Sequence, residues 1–268
     1  MRYVILLSQG MHVLEHGGMP HISADGTFTK HIIVDGLIIH NVTFRNGNNR
    51  TVQLGWTLEI SETSKSYEVM AEGLMKLGLG KVISNPRGHI TKVNLCMDGF
   101  KGTARMAEIL AGLHFSLCAR HVSNAARVAL KKMRSGGNSN VNVGHSDAQF
   151  YKIAGATSKA EDTIARASLQ RNFPHALAYI QKIPAVKFSQ LEMNKAGISS
   201  FSQTTSTCVE GMNGVDKERR ALHPYEYVDS KLRYSAEKLA FHEKEILEME
   251  KAGKKISTWA GKKLKLAK

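Results

Sequence analysis

LIIHNVTFRNGNNRTVQLGWTLEI, Leu37 to Ile60, decides the first half of the fold. Its two arms, Leu37–Phe44 and Thr51–Ile60, are rich in Val, Ile, Thr and aromatic residues. Such side chains suit a pleated, half-buried surface. Between the arms, RNGNNR (Arg45–Arg50) supplies the Asn and Gly that tight turns favour. The stretch therefore predicts a β-hairpin. Upstream, PHISADGTF alternates apolar and polar residues and predicts a strand ending at or near Asp25. Downstream, SETSKSYEVMAEGLMKLGL places Tyr67, Val69, Met70, Leu74 and Leu77 near helical spacing, with Ser64 as the expected cap.

Beyond the loop SNPRGH, ITKVNLCMDGF predicts a short strand running into Asp98. GTARMAEILAGL predicts a helix, and HFSLCARHV a further strand. Three consecutive strands followed by alternation predict an α/β fold, with a mixed sheet and helices packed on its faces. The pattern changes after His121. VSNAARVALKKM is helical, Arg134–Ser146 reads as a loop, and Ala148 to Met193 is helical with breaks at Pro174 and Pro184. GISSFSQTTST then leads to Glu210, and Asp229–Lys268 predicts one long helix or two.

The chain has 268 residues, 42% of them hydrophobic, which supports one sizeable core with or without an insertion. No apolar run approaches the roughly 20 residues of a membrane span. YVILL near the start is too short for the apolar region of a secretory signal. These features predict an intracellular protein without a membrane partner. Cys96, Cys118 and Cys208 are widely spaced and form no disulfide framework, so a reducing compartment is expected. The formal net charge of +14 and the isoelectric point near 9.7 favour a polyanionic partner, most simply nucleic acid.

Asp25 and Asp98 are expected at neighbouring strand ends, and Glu210 on a later helix within TSTCVEGMNGVDKERR. Acids so placed can converge on one point. Convergent carboxylates repel one another and need cations to be tolerated. Hard divalent ions take oxygen ligands, and a pair of them can clamp the attacking and leaving oxygens of a phosphodiester. The simpler alternative makes Asp25 and Asp98 turn residues before glycine and Glu210 a solvated helix residue. The competing acids are Asp35, Glu59 and Glu62, with Asp35 read as a turn residue in VDGL.

The blocks ADGTF, NNRTVQLGWTLEISET, CMDGFKG, LHFSLCARHVSNAA and SFSQTTSTCVEGMNG occur in this order from about His21 to Pro224. Together they resemble the Mutator-like element (MULE) transposases, whose DDE catalytic domain is RNase H-like. The resemblance implies an RNase H-like mixed sheet flanked by helices, with an all-helical insertion before the third acid. It implies catalytic and metal-binding roles for Asp25, Asp98 and Glu210, two Mg²⁺ (or Mn²⁺) ions, and DNA strand cleavage and transfer. The partners would be element terminal repeats and target DNA, and the location the nucleus in a eukaryotic host. The expected organisation is an RNase H-like core over 1–121, a helical insertion over 122–203, the core's final helix over 204–228 and a basic helical tail over 229–268. Relative to full-length members, the resemblance implies a shortened catalytic core. No upstream DNA-binding region is expected, no C-x-C followed by C-x-H zinc pattern follows Glu210, and Phe188 is expected where the insertion commonly carries tryptophan. The alternative readings are a DNA-binding remnant without catalysis, and an assembly protein that forms homo-oligomers through its C-terminal helix.

Cys118 and His121 stand as C-x-x-H without a second ligand pair, so they make no structural zinc site. They read as a buried thiol and a hydrogen-bonded histidine. The alternative is that His121 touches DNA or orients a catalytic carboxylate. Asn213, one helical turn past Glu210, is expected to bind phosphate or steady the glutamate. Trp56 reads as packing. Lys262, Lys263 and Lys265 belong to an acid-free C-terminal run that would bind phosphates without reading sequence, or form a solvated face.

Overall fold

The computed structural model describes residues 2–31, 35–61, 63–84, 92–98, 103–137, 146–200, 203, 205 and 207–254. Residues 138–145 of the expected Arg134–Ser146 loop and the lysine tail with Lys262, Lys263 and Lys265 lie outside them, as does Glu62. The chain is a mixed α/β fold divided into two compact units. Unit one comprises Met1–Asn85, Lys101–Ala111 and Thr207–Lys268, and unit two Pro86–Phe100 and Gly112–Ser206. None of the described helices is long and apolar enough to cross a membrane.

Unit one begins with β1 (Arg2–Leu6) and α1 (Ser8–Gly17), neither of which the sequence patterns predicted. Strands β2 (Gly18–Lys30), β3 (Asp35–Asn46) and β4 (Thr51–Glu59) follow, then helices α2 (Ser64–Lys76), α3 (Leu79–Ser84) and α4 (Thr103–Ile109). The strands run antiparallel in the order β1-β4-β3-β2. The Leu37–Ile60 hairpin is present, and its turn is closed by Asn46: the Asn48 and Arg50 amides both donate to Asn46 Oδ1 at 3.0 Å. Asn49 takes φ 60°, a conformation Asn tolerates better than most residues.

Three sequence expectations are corrected. Asp25 does not end its strand: β2 continues to Lys30, and Asp25 pairs with Asn41 of β3. The continuation is held by cross-strand pairs on both sides, so Asp-Gly here is not a turn. Asp35 likewise opens β3, opposite Lys30. The cap of α2 is Thr63 and not Ser64, because Thr63 has extended backbone and makes a reciprocal capping box with Ser66.

Helices α10 (Thr207–Val215) and α11 (Pro224–Lys251) return to unit one and pack on its strands. Leu37, Ile39, Trp56 and Leu58 form an apolar cluster with Tyr227 of α11. Trp56 is buried there, edge-on to the Tyr227 ring at 5.7 Å. The burial accounts for its packing role.

Unit two contains the parallel pair β5 (Asn94–Met97) and β6 (His114–Leu117). Its helices are α5 (Ala119–Ser135), α6 (Asp147–Gly155), α7 (Lys159–Asn172), α8 (Pro174–Ile180) and α9 (Gln190–Lys195). Pro174 opens α8, where the missing N–H costs no helical hydrogen bond. Pro184 precedes a short 3₁₀ turn, Ala185–Lys187. The helical core is built from small and large apolar side chains, among them Ala165, Leu169, Leu177, Ile180, Phe150 and Phe188. The Phe150 and Phe188 rings lie 5.6 Å apart.

Candidate functional site

The site residues in unit one are held by a chain of buried amides. Asp25 and Asn41 are cross-strand partners and share one face of the sheet. A β-bulge between Val42 and Thr43 shifts the register of β4 by one residue, so Gln53 joins that same face. Gly55 lies beside the bulge, and a Cβ there would come within 2.7 Å of the Ile5 carbonyl of β1. Glycine is thus needed for the close approach of β1.

Helix α10 lies over this face. Asn213 Nδ2 donates to Asp25 Oδ2 at 3.3 Å, and Asn213 Oδ1 accepts from Asn41 Nδ2 at 2.8 Å. Asn41 Oδ1 accepts from Gln53 Nε2 at 3.0 Å. Gln53 Oε1 in turn accepts from Ser235 Oγ of α11 at 2.8 Å. Every amide is oriented by the next, so the direction of the Asn213 amide toward Asp25 is fixed from within the core. The second Asp25 oxygen, Oδ1, accepts from the Gly26 amide at 3.0 Å. A carboxylate offers roughly four acceptor positions, so these bonds are compatible with metal ligation.

Behind this chain, Lys231 and Asp216 form a fully buried ion pair. Burial lowers the Lys231 pKa and the Asp216 charge opposes that shift. The same burial raises the Tyr227 pKa, with Asp216 adding to it. At the end of β2, Arg220 donates to Thr27 Oγ1. These contacts tie the α10–α11 connection to the strand that carries Asp25.

Unit two contributes a second set. Asp98 follows β5 directly, at the C-terminal end of the parallel pair. Cys118, the N-cap of α5, donates its backbone N–H to the Met97 carbonyl at 2.7 Å. That bond brings the start of α5 beside Asp98. Asp98 and His121 consequently offer ligand atoms within 4.8 Å of one another. Cys118 is a buried thiol.

Glu210 lies on α10, one turn before Asn213, and its side chain is outside the described residues. Asn213 was expected to bind phosphate or steady Glu210; it is seen to hold Asp25. Sequence reasoning missed Asn41, Gln53 and Ser235, since buried amides have no periodicity of their own. Gly55 within a strand was the available signal for the bulge. It also missed the charge pattern of α5, where Arg120, Arg127, Lys131, Lys132 and Arg134 occur without any carboxylate. No protein-family model matches the chain, and no curated protein matches its sequence.

Proposed function

We propose that the chain is an RNase H-like DDE transposase core of the Mutator-like class, cleaving and joining DNA at two divalent ions held by Asp25, Asp98 and Glu210. The observation that carries this reading is the Asn213–Asp25 hydrogen bond across 188 positions of sequence. It ties the helix of the expected third acid to the strand of the expected first acid. The half-exposed Asp25 and Asp98 offer hard oxygen donors, which fit Mg²⁺ or Mn²⁺. Two such ions, when bound, would activate a water or 3′-hydroxyl and stabilise the leaving oxygen. Asn213 keeps the Asp25 carboxylate in one orientation, and His121 stands beside Asp98 as its positioning residue. The cations of α5, in the unit of Asp98, and the net charge of +14 suit a DNA backbone.

The test is a nicking and strand-transfer assay on element terminal repeats in Mg²⁺ or Mn²⁺, wild type beside Asp98→Asn. The reading expects loss of cleavage with binding retained. Equal cleavage by the two would refute the metal role of Asp98. Tight, salt-sensitive binding without cleavage by the wild type would identify a DNA-binding remnant instead.

A further inference from the structure

Helix α1 carries a separate cluster of metal-ligating side chains. His12, Glu15 and His16 have ligand atoms within 4.8 Å of one another. Their spacing of i, i+3 and i+4 puts them on one helical face. The two imidazole rings lie 4.2 Å apart between centroids, and both residues are exposed. His16 Nδ1 lies 2.9 Å from the His12 carbonyl oxygen. A carbonyl only accepts, so Nδ1 carries a proton, which leaves Nε2 as the ring nitrogen for a metal. This is how a hydrogen bond at one ring nitrogen prepares the other for a metal.

The helix is also a rigid mount. Met11 and Leu14 are buried on its inner face. A Cβ at Gly10 would sit 2.3 Å from the Gln53 carbonyl, so α1 rests directly on the backbone of β4. Gly78, at φ 105°, leaves room for Glu15, whose Oε1 would be 3.5 Å from a Cβ at that position. His12 further lines a cavity of about 840 Å³ between α1 and α11, together with Glu243 and Glu250. An ion bound at His12 would have a coordination position facing that space.

We propose that His12, Glu15 and His16 form a zinc-class transition-metal site, with two imidazoles and one carboxylate as ligands and a fourth position open to water. Mixed nitrogen and oxygen donors at helical i, i+4 spacing suit Zn²⁺, Co²⁺ or Ni²⁺ better than Mg²⁺. Tetrahedral bonds of about 2.0–2.1 Å set the final ligand spacing, and the exposed imidazole rings can rotate to meet it. The site is independent of the proposed DNA chemistry.

The test is calorimetric titration of the full chain with Zn²⁺, paired with Co²⁺ absorption spectroscopy. The wild type should bind an ion that the His12→Ala/His16→Ala variant does not, and Glu15→Gln should weaken that binding by more than about tenfold, the lower bound seen even for outer-shell changes. Asp98→Asn should leave it intact, and bound Co²⁺ should give the intense visible bands of four- or five-coordination. Imidazole nitrogen resonances should assign the metal to His16 Nε2. Unchanged zinc binding in the histidine double variant would overturn the proposal. So would a Co²⁺ spectrum of the hexaaqua type, or loss of the same binding event in Asp98→Asn.

Discussion

The two units use their buried polar side chains differently. Unit two packs alanines, leucines and phenylalanines around Phe188, and its buried polar side chains, such as the Asn94–Ser116 pair and Asp162, lie outside that cluster. Unit one threads Asn41, Gln53, Ser235, Lys231 and Asp216 through its centre, between an apolar cluster at Trp56 and the strand of Asp25. An apolar core is forgiving of chemistry and sensitive to volume. A polar core is sensitive to the loss of any partner, because the remaining group is stranded without water. The contrast separates a unit whose interior supplies packing from one whose interior also orients a carboxylate.

The largest effects should come from striking each interior at its own weakness. Phe188→Ala should cost about 3–5 kcal/mol in urea unfolding, through the cavity it leaves in unit two. Lys231→Met should cost a similar ~3–5 kcal/mol in unit one, since Asp216 would stay buried without its partner. Adding Asp216→Leu should restore most of that loss, whereas no second substitution that merely removes charge should rescue Phe188→Ala.

Acidification sharpens the same contrast. Burial lowers the pKa of His21 and His40 in unit one to about 4 each; Arg45 adds to the shift at His21, while Glu59 opposes it at His40. Both are therefore neutral in the folded state where the unfolded chain, with its ordinary pKa near 6.5, takes up protons. Their contribution is present above about pH 6.5 and is lost as pH falls toward 4. Each accounts for roughly 3 kcal/mol over that interval, because a tenfold difference in proton affinity between the two states is worth about 1.4 kcal/mol. The stability of His40→Gln, measured by unfolding at pH 7 and pH 4, should fall by roughly that much less than the wild type's.

Smaller effects belong to the amide chain. Gln53→Leu should cost about 1–3 kcal/mol because Asn41 and Ser235 each lose a buried partner. Asn213→Ala lies at the half-exposed end of the chain and should cost only about 1 kcal/mol, while lowering cleavage far more than that stability change explains. The reference for unit two is Ser158→Ala at the capping box of α7, expected to cost about 1 kcal/mol with no change in DNA cleavage.

Much of the architecture is legible in the sequence. The hairpin at Leu37–Ile60 is visible because β-branched runs and an Asn-Gly turn both act locally. The helices after His121 are visible through their apolar spacing and the two prolines. What escapes depends on distant partners. Nothing local in PHISADGTF shows that β2 runs on past Asp25, because that length is set by pairing with β3. The short β1 has β-prone Tyr3, Val4 and Ile5, but five residues are too few to show which strand they join; pairing with β4 settles that. Among the site residues, the acids stand out by type, but the role of Asn213 rests on Asn41 and Gln53, which lie 172 and 160 positions away in sequence. The HVLEH run of α1 does carry a readable signal in its i, i+3, i+4 spacing, but the spacing has meaning only on a helix that local patterns do not predict.

The central claim is that Asp25, Asp98 and Glu210 hold divalent ions, and Mn²⁺ binding followed by electron paramagnetic resonance tests it most directly. The measurement is best made in the His12→Ala/His16→Ala background, so that the surface cluster contributes nothing. The account predicts that this parent protein binds Mn²⁺ with protein-bound character, and that Asp25→Asn, Asp98→Asn and Glu210→Gln each weaken the binding by at least about tenfold. Unaltered Mn²⁺ binding in Asp98→Asn and Glu210→Gln would contradict it.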